Sequence, residues 1–200
     1  MKKKQIAVLV SGSGTNLQAI IKASRSGSLE AKISVIISNK KNIYAERRAK
    51  KASIPYVVFD FESYCKLGFS RMSYDLELVD IINLFKADLI VLAGWMHILN
   101  GEFLDQFPNK VINLHPALPG EFPGANAIQE AWNKFKQKKM NQTGVMIHWA
   151  VPEVDAGEPI LVAKVPMKKG DSFEKFKKRL HSVEHRLIVQ AIKKILKDQN

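Results

Sequence analysis

The chain has 200 residues, of which 46% are hydrophobic and 25% are charged, a balance that excludes wholesale disorder. No apolar run approaches the roughly 18 to 20 residues that cross a bilayer, and the single cysteine, Cys65, excludes an intrachain disulfide and a thiolate metal cluster. The formal net charge of +12 predicts a Lys-rich surface or a positive potential that attracts small anionic substrates, and we expect a cytoplasmic or organelle-interior protein.

The first half of the sequence alternates short apolar runs with helical patterns. Residues 6–10 form a continuous apolar run, residues 11–16 a glycine-containing loop, and residues 17–21 carry apolar side chains at helical spacing. This order of strand, glycine loop and helix opens a doubly wound α/β unit. Later strands are predicted at residues 33–37, 56–59, 89–93 and 111–114, and helices at residues 45–51 and 74–85, the second with an apolar stripe of Leu76, Val79, Ile82 and Phe85.

The last third of the sequence has a different pattern. Two strand-like runs, residues 144–150 and 160–165, are joined by an acidic, glycine-containing connection, which favours antiparallel strands added to the edge of the sheet. Residues 172–197 have the spacing of one long helix, which Asp171 or Ser172 can cap. We therefore predict an α/β fold with a Rossmann-like, mostly parallel sheet flanked by helices and with antiparallel strands late in the chain.

The glycine loop at residues 11–16 is the first candidate site. A glycine turn that leads into a helix exposes backbone N–H groups, and the helix dipole favours a negative charge there. The loop lacks the third glycine of a dinucleotide fingerprint, because position 17 is Leu, and it also lacks the lysine of a P-loop. These features favour a phosphate monoester over a dinucleotide, and the alternative is a tight turn that binds no ligand.

Asn113 and His115 lie at the carboxyl end of the fifth predicted strand, where open α/β sheets bind their ligands. Because they are two residues apart on an extended chain, both side chains leave the same face. An amide donor beside an imidazole suits a developing oxyanion, and a buried histidine with one structural hydrogen bond is an equal alternative. His148, in a later strand-like run, is interpreted as a packed or supporting group.

The acidic connection at residues 151–159 holds the carboxylates of Glu153, Asp155 and Glu158 in an otherwise basic chain. If Asp155 approaches His115, its charge would favour the imidazolium form of the ring. The ring could then stabilise negative charge and pass on a proton. The alternative interpretation of this connection is a solvated hairpin turn.

Three segments taken together resemble the phosphoribosylglycinamide formyltransferase family: residues 10–20 with their glycine loop, residues 113–116 (Asn-Leu-His-Pro) and residues 155–157 (Asp-Ala-Gly). The resemblance runs over nearly the whole chain, because further matches lie at residues 70–71, 92–99, 143–148 and 182–185. It implies transfer of a formyl group from the co-substrate 10-formyltetrahydrofolate to the primary amine of glycinamide ribonucleotide, in purine biosynthesis and without a metal.

The resemblance also implies an organisation for the chain. We expect a single formyltransferase domain over residues 1–200, with the nucleotide phosphate bound in about residues 1–100. Catalysis and folate binding are expected in about residues 101–200. The protein is expected to act on its two small-molecule substrates as a monomer or weak homodimer.

Individual residues take roles from the same resemblance. The catalytic positions of the family fall on Asn113, His115 and Asp155. The residues implied to bind the phosphate and ribose are Gly12, Ser13, Gly14, Thr15, Asn16 and Glu184. The residues implied to bind folate are Arg71, Met96, His97, Ile98, Leu99, Asn113, Val151 and Asp155. This chain departs from the family at His97, where Arg is common, and at Asn126, where many members have His.

Other functions fit the sequence less well. A formyltetrahydrofolate hydrolase or a methionyl-tRNA formyltransferase would share the three catalytic residues, but each normally has a further domain, for which we expect no room in a chain that ends at Asn200. A nucleic-acid-binding module would need a recognisable motif or aromatic residues among the basic ones. A nicotinamide-dependent dehydrogenase is disfavoured by the glycine loop. We therefore expect no nucleic-acid or membrane partner.

Overall fold

The computed structural model describes residues 3–198, in which strands and helices alternate along the chain. The strands are β1 (Lys4–Val10), β2 (Ala31–Ser38), β3 (Tyr56–Val58), β4 (Leu89–Leu92), β5 (Val111–His115), β6 (Gln142–Trp149) and β7 (Pro159–Pro166). The helices are α1 (Thr15–Arg25), α2 (Tyr44–Ala52), α3 (Phe61–Lys66), α4 (Arg71–Leu84), α5 (Gly101–Asp105), α6 (Ala127–Lys136) and α7 (Phe173–Asp198). None of the helices in residues 3–198 has the length and apolar composition that crossing a membrane requires.

The strands form a mixed sheet with the order β3-β2-β1-β4-β5-β6-β7. β1 pairs in parallel with β2 and β4, and β2 pairs in parallel with β3, whereas β6 and β7 are antiparallel. Parallel neighbours need crossover connections, which α1, α2 and the pair α3 and α4 provide. The predicted fold class, a mostly parallel sheet with antiparallel strands late in the chain, is confirmed.

The chain forms two compact units, Met1–Ile112 and Asn113–Asn200, and the boundary between them lies inside β5. In the first unit, residues 6–10 of β1 are 0% exposed, as expected of a central parallel strand that is covered on both faces. In the second unit, α7 packs against β6 and β7. The expected organisation as one domain with functional halves stays a prediction.

Helix α4 buries Val79 and Ile82 of the predicted apolar stripe, but it does not bury Leu76. Leu76, which the apolar stripe included, is 43% exposed, so its prediction as a buried residue is wrong. The helix instead buries the polar Asp75, whose carboxylate pairs with the ring of His97 at 2.6 Å, and an apolar pattern cannot select such a residue. The buried residues of α4 are Tyr74, Asp75, Leu78, Val79 and Ile82.

Helices α3, α5 and α6 are not predicted by the sequence patterns. α3 and α5 have six and five residues, which are too few to show a helical period. The two short helices begin at side-chain caps, because Asp60 accepts the N–H of Ser63 at 2.9 Å and Asn100 accepts the N–H of Phe103 at 2.8 Å. In α6 the buried residues are the small Ala127 and Ala131, so no large apolar stripe marks the helix.

Helix α7 begins after a serine cap. The Ser172 hydroxyl accepts the N–H of Lys175 at 3.2 Å, so Ser172 is the one of the two predicted candidates that caps the helix. Asp171 instead accepts two hydrogen bonds from the guanidinium of Arg179 at 2.8 and 2.9 Å. These bonds, together with the N–H of Lys168, lower the pKa of Asp171 to about 2. The start of α7 is therefore fixed by both neighbouring side chains.

We predict that Phe176→Ala destabilises the protein by about 3 to 5 kcal/mol. Phe176 is 0% exposed, and its ring stacks on Trp132 with the two centroids 5.7 Å apart. The free energy of unfolding from denaturant titration checks this value, and Val183→Ala, at a half-buried position of the same helix, should cost less than about 1.5 kcal/mol. A loss below about 1 kcal/mol for Phe176→Ala would contradict the packing described here.

Candidate active site

Asn113 and His115 lie at the end of β5, in the second unit. Asn113 is half-buried, and His115 is 3% exposed. Asp155 reaches both side chains from the connection between β6 and β7, where its backbone has a left-handed φ of 53°. Short polar side chains tolerate this region better than most residues. Segments that are distant in sequence therefore bring an amide, an imidazole and a carboxylate together.

The Asp155 carboxylate contacts every other member of this cluster. Its Oδ1 accepts the side-chain N–H of Asn113 at 2.9 Å, and its Oδ2 accepts the backbone N–H of Gly124 at 2.8 Å. Oδ2 also lies 3.2 Å from Nδ1 of His115, so the approach of Asp155 to His115 that the sequence analysis considers does occur. Because the Asp155 side chain is only 11% exposed, these partners take the place of water around its charge.

The ring of His115 faces an acceptor at each nitrogen. Nδ1 faces the Asp155 carboxylate, and Nε2 lies 3.1 Å from the carbonyl oxygen of Glu121. A neutral imidazole has one N–H and can donate to only one of these acceptors, whereas the imidazolium donates to both. Each ring nitrogen of His115 therefore already faces a protein acceptor, so a hydrogen bond from the ring to a ligand would replace one of these two contacts.

A second histidine, His148 in β6, lies beside the same carboxylate. Its Nδ1 is 2.8 Å from the carbonyl oxygen of Trp149, and because a carbonyl can only accept, Nδ1 carries the proton. Its Nε2 lies 3.1 Å from the side-chain nitrogen of Asn113 and 3.6 Å from Oδ1 of Asp155. His148 is 2% exposed, and its ring fixes the orientation of the Asn113 amide, in agreement with its interpretation as a supporting group.

The charge of Asp155 is set by opposing effects. Burial favours the neutral carboxyl, but the His148 ring, the N–H of Gly124 and the His115 ring together outweigh burial and hold the pKa of Asp155 below its ordinary value. Asp155 is therefore ionised at neutral pH.

The loop after β5 supplies two of these contacts, the carbonyl of Glu121 to the imidazole and the N–H of Gly124 to the carboxylate. Between them, Phe122 has a φ of 47°, although it is aromatic and precedes Pro123. Its side chain is buried, with the ammonium of Lys134 4.5 Å from the ring centroid. Side-chain patterns do not mark these residues, because they act through backbone atoms, and the two Pro-Gly pairs at residues 119–120 and 123–124 signal only turns.

Gly157 lets the connection after β6 return closely against that strand. A Cβ at this position would lie 1.7 Å from the carbonyl oxygen of Trp149 and 3.0 Å from Nδ1 of His148. Any side chain would therefore displace the connection from the carbonyl that binds the His148 proton. This close approach is the physical reason for the glycine two residues after Asp155.

The glycine loop of the first unit connects β1 to α1. Gly14 precedes the helix with a φ of 70°, and a Cβ there would lie 3.0 Å from the Cβ of Ala45, whereas a Cβ at Gly12 would meet open space. Ser13 is exposed, and Asn16 is 8% exposed. Helix α1 begins at Thr15 without a side-chain cap, and the positive end of its dipole suits an anion.

A cavity of about 650 Å³ lies in the first unit at the predicted folate-binding segment. Arg71, Met96, His97 and Ile98 are among its lining residues, whereas Leu99 is 5% exposed and belongs to the core. Met96 and Ile98 are 60% and 50% exposed and present apolar surface. Arg71 donates a hydrogen bond to the carbonyl oxygen of Ile98, which holds the guanidinium beside that surface.

The side chain of His97 serves the structure of this segment. Its Nε2 lies 2.6 Å from Oδ1 of Asp75, and the other oxygen of Asp75 accepts the backbone N–H of Asn100 at 2.9 Å. The His97 and Asp75 side chains are 4% and 0% exposed. The pair therefore fixes the backbone on both sides of Ile98, and a ring held in this way cannot reach out as a long Arg side chain would.

Glu184 and Val151, the two remaining predicted contacts, lie in the second unit. Glu184 in α7 is 3% exposed, and its Oε2 accepts a hydrogen bond from Nδ1 of His181 at 3.0 Å. Val151 begins the connection after β6 and is 37% exposed. A buried carboxylate suits hydroxyl donors, and an exposed valine offers apolar contact. Within residues 3–198, no three His, Cys, Asp or Glu side chains are grouped so that they could hold a metal ion.

We predict that Gly157→Ala destabilises the protein by about 1 to 3 kcal/mol, because the added methyl group must displace the connection from Trp149. Thermal unfolding measures the loss as a lower Tm. Gly12→Ala is the matched control, since a Cβ there meets open space, and it should change the Tm by less than about 2 °C. An unchanged Tm for Gly157→Ala would contradict the close approach.

We predict that Asp155→Asn lowers the free energy of unfolding at neutral pH by about 1 to 3 kcal/mol, because His115 and Gly124 lose a charged acceptor. Asn is the appropriate replacement because it also tolerates the left-handed backbone. A carboxylate whose pKa is lowered by folding adds stability above its unfolded pKa of about 3.9 and loses it as the pH falls through the folded value. Chemical denaturation over a pH series should therefore show the difference shrinking below about pH 4.

Glu158→Gln is the control for this comparison. It removes an exposed carboxylate from the same connection, and its stability should follow that of the parent protein at every pH. A stability difference between Asp155→Asn and the parent that stayed constant from neutral pH to strong acid would contradict a lowered pKa of Asp155.

The chain matches known proteins over nearly its whole length. The sequence model of the formyl transferase family matches residues 4–192. The phosphoribosylglycinamide formyltransferase of Dictyostelium discoideum is 49% identical over 197 residues, which cover 94% of this chain and 96% of the relative. That of Schizosaccharomyces pombe is 45% identical over 201 residues, which cover 96% of this chain and 97% of the relative.

Solved structures show the same fold. The crystal structure of phosphoribosylglycinamide formyltransferase from Bacillus halodurans is 30% identical, with a TM-score of 0.90, and the match covers 98% of this chain and 97% of that chain. Glycinamide ribonucleotide transformylase 1 from Symbiobacterium toebii is 35% identical, with a TM-score of 0.87, over 95% of this chain and 86% of that chain. The chain therefore belongs to the formyl transferase family and, within it, to the phosphoribosylglycinamide formyltransferases.

Proposed function

We propose that this chain transfers a formyl group from 10-formyltetrahydrofolate to the amine of glycinamide ribonucleotide, as a step of de novo purine biosynthesis. Family membership supports the reaction, and the cluster of Asn113, His115 and Asp155 is the observation that carries it. Direct transfer of a formyl group to an amine needs donors for a developing oxyanion and a route for one proton. The three side chains offer both.

In this proposal, Asn113 and His115 donate hydrogen bonds to the formyl oxygen, which becomes negative when the substrate amine attacks the formyl carbon. A protonated His115 ring is the stronger donor, because its hydrogen bond is charge-assisted, and its Nε2–H changes its acceptor from the Glu121 carbonyl to the formyl oxygen. Both side-chain N–H groups of Asn113 have partners, on Asp155 and on His148, so one of them changes its acceptor when the formyl oxygen arrives. Loss of one such donor costs about 10²- to 10³-fold in rate in comparable sites.

Asp155 has two parts in the proton transfers. Its charge stabilises the imidazolium of His115, with which it is in contact. It also orders a water molecule that carries the proton from the attacking nitrogen toward N10 of the folate, so the amine loses one proton and the leaving nitrogen gains one. The step requires no covalent enzyme intermediate.

We assign the ribonucleotide to the glycine loop and Glu184. Backbone N–H groups of residues 12–16 bind the phosphate, which the positive end of α1 also attracts. The buried carboxylate of Glu184 accepts hydrogen bonds from the ribose hydroxyls, while His181 contacts one of its oxygens. A phosphate monoester requires neither the third glycine of a dinucleotide fingerprint nor the lysine of a P-loop, both of which this loop lacks.

We assign the folate to the cavity of the first unit and to the connection after β6. Met96 and Ile98 offer exposed apolar surface to an aromatic ring system, and Arg71 offers a cation to a carboxylate. The backbone of residues 96–99 supplies polar groups, and Val151 supplies an apolar side chain at the start of the connection. These residues fit a ligand with an apolar body and an anionic tail.

Three further expectations are part of the proposal. We propose that residues 1–200 act as a single formyltransferase domain, with the nucleotide phosphate bound in the first half and with catalysis in the second. We also propose that the protein works in the cytoplasm on small molecules, without a nucleic-acid or membrane partner. A monomer or weak homodimer is sufficient, because Asn113, His115 and Asp155 come from one chain.

We predict that His115→Ala lowers kcat for formyl transfer by about 10²- to 10³-fold, because the developing oxyanion loses its charged donor. KM for each substrate should change by less than about fivefold, because the ring acts on the transition state. A spectrophotometric assay with formylfolate and glycinamide ribonucleotide measures both constants. Asp155→Asn should lower kcat similarly, because the side chain at position 155 no longer places a negative charge beside His115.

Glu158→Gln, which neutralises an exposed carboxylate near Asp155, is the control and should keep kcat within about twofold of the parent value. Full activity in His115→Ala would contradict the proposed donor. Formylfolate consumption at the same rate without the ribonucleotide would identify hydrolysis, in place of transfer, as the reaction of this chain.

A further inference from the structure

Helix α2 holds two carbonyl groups of the glycine loop. The carbonyl oxygen of Gly12 accepts the backbone N–H of Ala45 at 3.3 Å. The next carbonyl oxygen, that of Ser13, accepts a hydrogen bond from Nε of Arg48 at 2.8 Å. Both contacts come from one face of α2, because positions 45 and 48 are three residues apart on the helix.

These two contacts determine where the amides of the loop point. In a planar trans peptide the C=O and the following N–H point in opposite directions, and residues 3–198 contain no cis peptide bond. The N–H of Ser13 therefore points away from Ala45, and the N–H of Gly14 points away from Arg48. Two successive donors are directed to the side of the loop that does not face α2.

Contacts with neighbouring side chains fix the position of the Arg48 guanidinium. Its Nη1 donates to the side-chain oxygen of Gln18 in α1 at 2.9 Å, and its guanidinium lies 4.8 Å from the ring centroid of Tyr44. The side chain is half-buried in this position. The guanidinium is therefore rigid enough to fix a single peptide plane, and it places a positive charge next to the loop.

We propose that Arg48 is a positioning residue for phosphate binding, which orients the Ser13–Gly14 peptide so that the N–H of Gly14 is presented to the phosphate. The proposal rests on the proposed function, in which residues 12–16 bind the phosphate of the ribonucleotide. It adds Arg48, which lies on α2, outside the loop. Arg48 acts by orienting the backbone of the loop and does not contact the phosphate.

A purely structural role for Arg48 would have different consequences. If Arg48 served only to connect α1 with α2 through Gln18, its loss would lower the Tm, and the kinetic constants of both substrates would change together. If it orients one peptide of the phosphate loop, its loss weakens binding of the phosphorylated substrate alone. The ratio of the two KM values therefore separates the two roles.

Arg47 offers a matched control. It is the adjacent residue on α2, it is exposed, and its guanidinium also lies over the ring of Tyr44, at 5.3 Å from the centroid. Arg47→Met and Arg48→Met thus remove the same charge from the same helix and the same ring. Only the second substitution removes the donor to Ser13.

The experiment measures kcat and both KM values for Arg47→Met, Arg48→Met, Arg48→Lys and Gly12→Ala. For Arg48→Met we expect KM for glycinamide ribonucleotide to rise about tenfold, with kcat and KM for formylfolate within about twofold of the parent values. Arg48→Lys, which keeps the charge and can donate one hydrogen bond, should recover part of the loss. Arg47→Met should match the parent protein.

Direct binding of inorganic phosphate, measured by the shift in Tm with phosphate concentration, gives a second readout that does not depend on turnover. We expect Arg48→Met to need about tenfold more phosphate than the parent or Arg47→Met for the same shift. Equal phosphate dependence and equal KM values in Arg47→Met and Arg48→Met would overturn the proposal. Parallel changes in both KM values, with a lower Tm, would also overturn it in favour of the structural role.

The Gly12→Ala variant distinguishes a failure of this proposal from a failure of the proposed function. A methyl group at position 12 meets open space in the free protein, so the variant should fold, yet the methyl group would obstruct a phosphate bound at the loop. If Gly12→Ala raises KM for the ribonucleotide and Arg48→Met does not, only the positioning role fails. If Gly12→Ala leaves that KM unchanged, the phosphate loop itself is wrongly assigned, and both conclusions fall.

Discussion

The buried charge of Asp155 is the constraint on which the catalytic cluster depends. A carboxylate with this little exposure is stable only when hydrogen-bond donors replace water around it. These donors are the amide of Asn113 and the backbone N–H of Gly124, and Nδ1 of His115 lies 3.2 Å from the same carboxylate. Because these partners come from β5 and from the loop that follows it, ionisation of one side chain determines the relative positions of segments that are distant in sequence.

Two residues around the cluster have unfavourable backbone conformations that the surrounding contacts hold in place. Asp155 and Phe122 both have left-handed φ values, and such residues persist where the surrounding structure holds them. Phe122 is held by the burial of its ring, and the connection that carries Asp155 is held by the close approach of Gly157 to β6. Strain and close packing thus lie on both sides of the carboxylate. In the function that we propose, this rigidity would keep the donors preorganised for a developing negative charge.

The sequence predicts the parts of this architecture that depend on periodicity. β1, β5, β6, β7 and α7 have apolar patterns long enough to identify, and the two-residue spacing of Asn113 and His115 correctly predicts that they share a face. Helices of five or six residues are too short to show a helical period. In α4, one buried residue is the polar Asp75, which an apolar pattern does not select. The residues that complete the site escape prediction for another reason. Glu121 and Gly124 act through a carbonyl and an N–H, which every residue has, so side-chain identity carries no signal of their role.

His97 has a different structural role from its neighbours Met96 and Ile98. Its ring pairs with Asp75 inside the first unit, and Asp75 in turn binds the backbone at Asn100. The ring therefore stabilises the turn, while Met96 and Ile98 on either side expose their apolar side chains to the cavity. Met96 and Ile98 therefore form the apolar surface of this segment at the cavity, and the buried His97 ring supports the turn that presents them.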